Sequence, residues 1–203
     1  MTQAKRIVYV LDDDLRIRES LETLLSAAGF KVMLFTEPES FLAFQRPEEP
    51  SCLILDLNLG DTTGLDLQQK LGDDSALPVI FLTGVGDIPT TVKAMRRGAS
   101  EFLSKPVDEE ELIPAIETAL KQAEERWADR QYLRQLRRNY ESLTPREREV
   151  MPYVVRGFLN KQTAYELGTS EITIRIHRGQ IMRKMKADSL ADLVRMASRL
   201  GIG

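Results

Sequence analysis

The sequence predicts an α/β domain with a doubly wound parallel sheet, followed by a smaller all-α domain. Short apolar runs alternate with segments of helical periodicity over residues 1–122, as expected of strands and crossover helices. Residues 141–203 show helical spacing alone. The charge also changes, because residues 1–122 carry 21 acidic and 12 basic side chains whereas residues 141–203 carry 7 and 11. A basic second module suits a polyanionic partner.

The composition limits the class of protein. A chain of 203 residues accommodates two small domains. One cysteine, Cys52, and one histidine exclude a disulfide framework and make a zinc site unexpected. The N-terminal apolar stretch is too short for a signal peptide, and no segment approaches membrane-spanning length. We therefore expect a soluble, cytoplasmic protein with no membrane partner.

Five apolar runs in the first 122 residues predict the strands of one parallel sheet, in the order 2-1-3-4-5. These runs are Arg6–Leu11, Lys31–Phe35, Ser51–Leu55, Pro78–Thr83 and Ser100–Ser104. Segments with helical periodicity separate them and predict the crossover helices. These segments are Leu15–Ala28, Glu39–Phe44, Gly64–Leu71 and Ile88–Arg97.

Polar side chains follow four of these strands where ligands bind in such folds, beyond the carboxyl ends. Asp12 and Asp13 follow the first strand, Asp56 the third, Thr83 the fourth and Lys105 the fifth. Strands one and three flank the switch point of the sheet, so the three carboxylates should meet. Because such carboxylates repel one another unless a cation joins them, the pattern predicts a Mg²⁺ site.

A carboxylate beside this cluster could attack a phosphoryl group and form an acyl phosphate. Lys105 and the Thr83 hydroxyl would then bind phosphoryl oxygens. An enzyme such as an aspartate-dependent phosphatase is an alternative, but those enzymes commonly carry a second acid two residues after the nucleophile, where this chain has Asn58. The Lys105–Pro106 bond is predicted to be cis, since X–Pro is the bond type in which cis costs little.

Four motifs in this order resemble the receiver domain of two-component response regulators: Val10–Asp14, Leu55–Asn58, Leu82–Gly84 and Lys105-Pro106. The resemblance covers roughly the first 120 residues. It implies a regulator rather than an enzyme, which accepts a phosphoryl group on Asp56 from a sensor histidine kinase.

The same resemblance implies further roles. It implies a Mg²⁺ site formed by Asp12, Asp13, Asp56 and the backbone carbonyl of Asn58, and an aromatic switch at Phe102. One departure lies in the following loop, where Gly60 stands beside Asp61 and the family usually has a proline near that acid. We expect Gly60 to loosen this loop.

A helical linker is predicted over residues 123–140, continuing a helix that begins near Asp108. Pro114 predicts that this helix starts late or kinks. Apolar residues then recur at three- and four-residue steps, at Ile116, Leu120, Ala123 and Trp127. Two interpretations fit: a seam that pairs with a second copy of the chain, or the last receiver helix followed by a solvated linker helix.

Residues 141–203 predict four short helices. Thr144 is the N-cap of the first, which should end near Arg156 and kink at Pro152. Asn160, Ser170 and Ser189 are the expected caps of the other three. Those helices are predicted over Lys161–Leu167, Glu171–Met185 and Leu190–Leu200. The middle pair forms a helix-turn-helix, and its core positions are predicted to be Ile172, Ile174 and Ile181.

Leu143–Val150, Asn160–Gln162 and Ile172–Arg178 resemble the LuxR-type DNA-binding domain. The whole chain is thus similar to bacterial response regulators of the NarL/FixJ family, with a receiver at 1–122, a linker at 123–140 and a DNA-binding domain at 141–203. The resemblance implies base contacts from Arg175 and Ile176, and phosphate contacts from Lys161, His177 and Arg178.

The implied partners are double-stranded promoter DNA, a sensor histidine kinase, RNA polymerase and, after phosphorylation, a second copy of the chain. Gly179 stands where relatives can carry a base-contacting side chain, and Asp188 where a basic residue is common. A ligand-sensing regulator with the same DNA-binding domain is a further alternative, which the acidic set of the first half argues against.

Overall fold

The computed structural model describes residues 6–60, 62–72, 77–84 and 88–202, with the backbone alone for residues 88–90. The chain divides into two compact units, Met1–Ala128 and Asp129–Gly203. The finer division at residues 122 and 140 stays a prediction.

The first unit contains a five-stranded parallel sheet in the order β2-β1-β3-β6-β7. This is the predicted order 2-1-3-4-5, because β4 and β5 form a separate two-stranded sheet. The strands are β1 (Ile7–Leu11), β2 (Lys31–Phe35), β3 (Ser51–Asp56), β4 (Asn58–Leu59), β5 (Thr62–Thr63), β6 (Val79–Thr83) and β7 (Glu101–Ser104).

The antiparallel pair β4–β5 was not predicted from the sequence. It forms a short hairpin directly after β3. Gly60 follows the first of its strands with a φ of 62°, a left-handed conformation that glycine adopts without a Cβ penalty. Gly60 therefore occupies a turn that requires its conformation, and Asp61 lies outside the described residues.

Helices cover both faces of the sheet, which confirms the doubly wound architecture. Alternate strand residues face opposite sides, so Tyr9 and Phe81 pack in one core whereas Val8 and Ile80 pack in the other. The helices of this unit are α1 (Leu15–Ala27), α2 (Pro38–Ala43), α3 (Gly64–Leu71), α4 (Ile88–Arg96) and the first part of α5 (Glu109–Glu141). Cys52 lies in the second core, where burial raises the pKa of its thiol to about 12.

The predicted long helix is confirmed, since α5 is continuous over 33 residues. A late start at Pro114 was wrong, because the helix begins at Glu109 and contains Pro114. Ile116 and Leu120 are fully buried against the sheet, so these two positions are closed to a second copy of the chain. Farther along, the indole Nε1 of Trp127 donates a hydrogen bond of 2.8 Å to the carbonyl of Glu48. The contacts favour the interpretation of a final receiver helix that continues as a linker.

The second unit packs four helices with the end of α5. They are α6 (Pro145–Val155), α7 (Asn160–Glu166), α8 (Glu171–Met185) and α9 (Leu190–Arg199). Thr144, Ser170 and Ser189 are N-caps as predicted, because each side chain accepts a hydrogen bond from a backbone N–H in the first turn. Asn160 is not a cap. It is the first residue of α7, and Leu159 holds the cap position.

Ile174 and Ile181 are buried as predicted, but the prediction for Ile172 was wrong because this side chain is 62% exposed. The reason is helical geometry. Residues 174 and 181 are seven positions apart and share a face, whereas a step of two residues rotates a helix by about 200°. Ile172 therefore lies on the outer face of α8.

None of the helices among the described residues is long and apolar enough to span a bilayer.

Candidate functional site

Three carboxylates meet at the carboxyl edge of the sheet, as the sequence predicted. Asp12 and Asp13 follow β1 and Asp56 ends β3, and one oxygen from each lies within 4.8 Å of the others. Asp12 and Asp56 are buried, while Asp13 is exposed. Because negative groups at this separation repel one another, the cluster requires positive charge.

Lys105 supplies one such charge. Its Nζ lies 2.6 Å from Asp12 and 2.9 Å from Asp56. The cis peptide bond of Lys105–Pro106 is present as predicted, and the backbone N–H of Lys105 donates to the carbonyl of Thr83 at 2.6 Å. The end of β7 is thereby held beside the end of β6, with the ammonium group directed at the acids.

The ionisation of the pair reflects burial and charge together. Burial raises the pKa of Asp56, and the hydrogen bonds from Lys105 and from the Asn58 backbone offset only part of that rise. For Lys105, burial favours the neutral amine, but the hydrogen bonds to Asp12 and Asp56 outweigh burial and its pKa is raised. One ammonium group therefore contacts two buried carboxyl groups. Such an oxygen-rich cluster can hold a metal ion.

Thr83 ends β6 and is 1% exposed. Its Oγ1 has no hydrogen-bond partner among the residues that the structure describes. A buried hydroxyl of this kind is costly unless an acceptor binds it during function.

Phe102, on β7, is half-buried with its ring centroid 6.1 Å from that of Phe81.

Two residues that sequence reasoning missed fix the backbone of the acidic cluster. Arg18 is buried, and its Nη1 donates a hydrogen bond of 2.6 Å to the carbonyl of Asp12. Gly64 packs so closely that an added Cβ would lie 2.4 Å from the carbonyl oxygen of Asp56. A glycine at the first position of a helix was the available signal for Gly64. Nothing in the local sequence marks Arg18 as buried.

In the second unit, α7 and α8 form the predicted helix-turn-helix, joined through Gly168 and the cap Ser170. Lys161, on α7, is exposed, as are Arg175 and Ile176 on α8. The structure therefore presents these three side chains to solvent.

His177 and Arg178 lie on α8 and are half-buried. The guanidinium of Arg178 donates to the carbonyl of Phe158 at 3.1 Å. Arg178 thus also fastens α8 to the segment before α7, a structural bond that the sequence did not predict.

Two neighbouring helices hold the last turns of α8. Lys184 lies 2.7 Å from Glu147 of α6, a buried carboxylate that also accepts a hydrogen bond from the Thr144 backbone. Burial raises the pKa of Glu147, but the hydrogen bonds from Lys184 and Thr144 outweigh it and the pKa is lowered. Asn139 of α5 donates to the carbonyl of Met185 at 3.2 Å. These contacts fix the orientation of α8 within its unit.

Two protein-family models match the sequence of this chain. The response regulator receiver domain matches residues 8–117, and the luxR family of bacterial regulatory proteins matches residues 141–197. The first match covers the acidic cluster and the second covers the helix-turn-helix.

The similarity to known proteins extends over nearly the whole chain. Response regulator protein TodT of Pseudomonas putida is 44% identical over 201 residues, which is 98% of this chain and 88% of TodT. Transcriptional regulatory protein FixJ of Rhizobium meliloti is 40% identical over 197 residues, 97% of each chain. The solved structure of response regulator StyR matches with a TM-score of 0.85 and 44% identity, over 97% of this chain and 100% of StyR.

These relatives are transcriptional response regulators, so neither the phosphatase nor the ligand-sensing alternative is supported. The two domains are those of phosphorylation-controlled DNA binding, with a kinase as phosphodonor and promoter DNA as target. The chain belongs to the two-component response regulators of the NarL/FixJ family, with a receiver domain followed by a LuxR-type DNA-binding domain.

Proposed function

We propose that Asp56 is the phosphoryl acceptor of this response regulator and that its phosphorylation by a sensor histidine kinase increases binding to promoter DNA. The observation that carries the proposal is the position of Lys105 between Asp12 and Asp56, at 2.6 and 2.9 Å, in a cluster that also contains Asp13. A nucleophile, an acidic metal site and a cation for phosphoryl oxygens share one edge of the sheet.

We propose Mg²⁺ as the cofactor, held by the three carboxylates and by the backbone carbonyl of Asn58. The donor set fits this ion, since Mg²⁺ is typically bound through few carboxylates together with water and phosphoryl oxygens. When bound, the ion would offset the carboxylate charge and bind oxygens of the transferred group.

The chain's own residues then account for the transfer. A carboxylate oxygen of Asp56 forms a bond to phosphorus while the bond from phosphorus to a ring nitrogen of the donor histidine breaks. The electron pair of that bond stays on the nitrogen, and the imidazole leaves as a neutral ring that keeps the proton on its other nitrogen. Lys105 exchanges its contact with Asp56 for a phosphoryl oxygen. The Thr83 hydroxyl, which has no partner among the described residues, donates to another. Phe102, already half-buried, would follow Thr83 inward as the switch.

On the DNA side, Arg175 and Ile176 contact base edges from the exposed face of α8. Lys161, His177 and Arg178 contact phosphates and position the helix. Arg178 can do so only with the part of its guanidinium that is free of the Phe158 carbonyl.

Phosphorylation favours a dimer in this proposal, because one small domain makes few DNA contacts. The receiver face around Lys93–Arg97 and Phe102 is the proposed interface, since Ile116 and Leu120 are buried in the core. Two recognition helices would then reach half-sites about one helical turn apart.

RNA polymerase is the proposed further partner, and the family supports a cytoplasmic location.

Intact-mass spectrometry tests the acceptor. With Mg²⁺ and acetyl phosphate, the wild-type chain should gain one acid-stable, base-labile phosphoryl group. Asp56→Asn should gain none. Asp14→Asn is the matched control, because Asp14 is an exposed N-cap of α1 and asparagine caps equally well. Equal labelling of Asp56→Asn and wild type would refute the proposal.

A further inference from the structure

The recognition helix α8 carries two exposed isoleucines that its own domain does not use. Ile172 and Ile176 are 62% and 57% exposed, although both are large aliphatic side chains. They are four residues apart and therefore neighbours on one face of the helix. The core face of the same helix is supplied by Ile174 and Ile181, which are fully buried. The exposed pair needs an explanation other than folding.

Their surroundings on α8 identify the chemistry that fits. Arg175 is exposed beside them, and the domain from residue 141 carries eleven basic against seven acidic side chains. Gly179 continues the face, and an added Cβ there would meet no atom of the described residues within 4 Å. An open apolar strip beside an exposed arginine, in a domain with more basic than acidic side chains, is complementary to the major groove, where thymine presents a C5-methyl group.

We propose that Ile172 and Ile176 form a methyl-contacting strip that selects thymine at two nearby positions of the DNA site. The inference rests on the proposed function of α8 in DNA recognition and adds Ile172 to the contacting residues. One helical turn advances about 5.4 Å, and stacked bases rise about 3.4 Å per step. The two side chains therefore match methyl groups one or two base steps apart.

A second copy of the chain is the competing occupant of this strip. Two side chains make a small apolar area, whereas stable protein interfaces need roughly 800 Å² from each partner. The adjacent exposed Arg175 would also be brought against its own copy in a symmetric contact, where like charges repel. The small apolar area and the repulsion between arginines favour DNA over a second copy of the chain as the partner of this strip.

Replacement of thymine by deoxyuridine tests the proposal, because it removes the methyl group and leaves the hydrogen-bonding edge unchanged. A duplex is first selected from a random 30-base-pair library with the full-length wild-type chain treated with acetyl phosphate and Mg²⁺. Each thymine of the selected duplex is then replaced in turn, and affinity is measured by fluorescence anisotropy. For wild type, replacement at two positions should weaken binding about threefold to tenfold each, the effect of removing one buried methyl group.

The variants assign the two positions. Ile172→Ala should lose the deoxyuridine penalty at one position and retain it at the other, and Ile176→Ala should show the reverse. Ile172→Val should keep part of the penalty. Val194→Ala removes an exposed aliphatic side chain from α9 and should leave both penalties unchanged.

An unchanged pattern of penalties in Ile172→Ala would overturn the inference. A change in the sedimentation of Ile172→Ala with both deoxyuridine penalties intact would also overturn it, because that result would assign the strip to a second copy of the chain. If no duplex is enriched, or if Arg175→Ala binds as tightly as wild type, the DNA-contacting role of α8 itself fails and this inference with it. Those results differ from the loss of methyl discrimination alone.

Discussion

The ammonium group of Lys105 lies 2.9 Å from a carboxylate oxygen of Asp56, although the residues are 49 positions apart in the chain. The sheet order brings them together, since β3 and β7 each border β6. The same ammonium lies 2.6 Å from Asp12. Phosphorylation of Asp56 would consume one of these contacts and offer phosphoryl oxygens in its place. The loss of this ion pair on phosphorylation could therefore alter the loops that follow β3 and β7.

Gly64→Ala should displace Asp56, the proposed phosphoryl acceptor. The new Cβ would lie 2.4 Å from the Asp56 carbonyl and 3.0 Å from the Phe81 ring, so backbone must move. We expect a loss of about 1–3 kcal/mol of stability, typical of overpacking, together with slower phosphorylation. Gly84→Ala is the control, because a Cβ there meets none of the described residues within 4 Å. Urea unfolding and mass spectrometry measure the two effects, and wild-type behaviour of Gly64→Ala would contradict the close packing.

Asp13→Asn should raise the Mg²⁺ requirement more than it lowers the maximum rate of phosphorylation. In the proposed metal site, the exposed Asp13 would supply ligand charge but not the nucleophile. Removal of metal with EDTA should stop phosphorylation of the wild type. Titration of Mg²⁺ against the rate of labelling by acetyl phosphate measures the shift. An unchanged titration midpoint in Asp13→Asn would remove this residue from the proposed metal site.

Glu147→Gln should destabilise the DNA-binding domain in a pH-dependent manner. The pKa of Glu147 is lowered below its ordinary 4.5, so its charged form stabilises the folded state. That contribution is fully present above about pH 4.5 and is lost as the pH falls through the lower, folded-state pKa. At pH 7 we expect Glu147→Gln to cost about 1.5–3 kcal/mol, the range for hydrogen bonds to a charged group.

The difference between wild type and Glu147→Gln should shrink as the pH falls below that window. Glu149→Gln is the control, because Glu149 pairs with Arg146 on the surface at 2.6 Å, where ion pairs contribute little. Urea unfolding followed at several pH values gives the comparison. A cost that is equal at pH 7 and in acid would show that the ion pair with Lys184 does not explain the stability.

Arg175→Ala and Lys161→Ala should affect DNA binding differently. Arg175→Ala should relax the choice of base at one position and cost about 1–3 kcal/mol on the preferred site. Lys161→Ala should weaken all sequences alike and reduce the salt dependence of binding. Affinities for the preferred and a scrambled duplex at several salt concentrations separate the two effects. Uniform weakening by Arg175→Ala would assign that residue to the phosphate backbone.

The sequence allowed the sheet order, the acidic cluster and most helix caps to be predicted, because periodicity and the ends of strands are local signals. The hairpin β4–β5 was missed, since its strands are only two residues long. The burial of Arg18 and the close packing of Gly64 depend on contacts across the fold. Ile172 was assigned to the core because isoleucine is usually buried, whereas its helical phase relative to Ile174 places it outside.

The most direct test of the account is the DNA affinity of the wild-type chain and of Asp56→Asn, each with and without acetyl phosphate and Mg²⁺. Sedimentation on the selected duplex reports affinity and stoichiometry together. We expect phosphorylation to raise wild-type affinity about 5- to 150-fold, the usual range of allosteric coupling, and to place two chains on the duplex. Asp56→Asn should show no response. Equal affinity and one bound chain under all four conditions would contradict control of DNA binding by phosphorylation of Asp56.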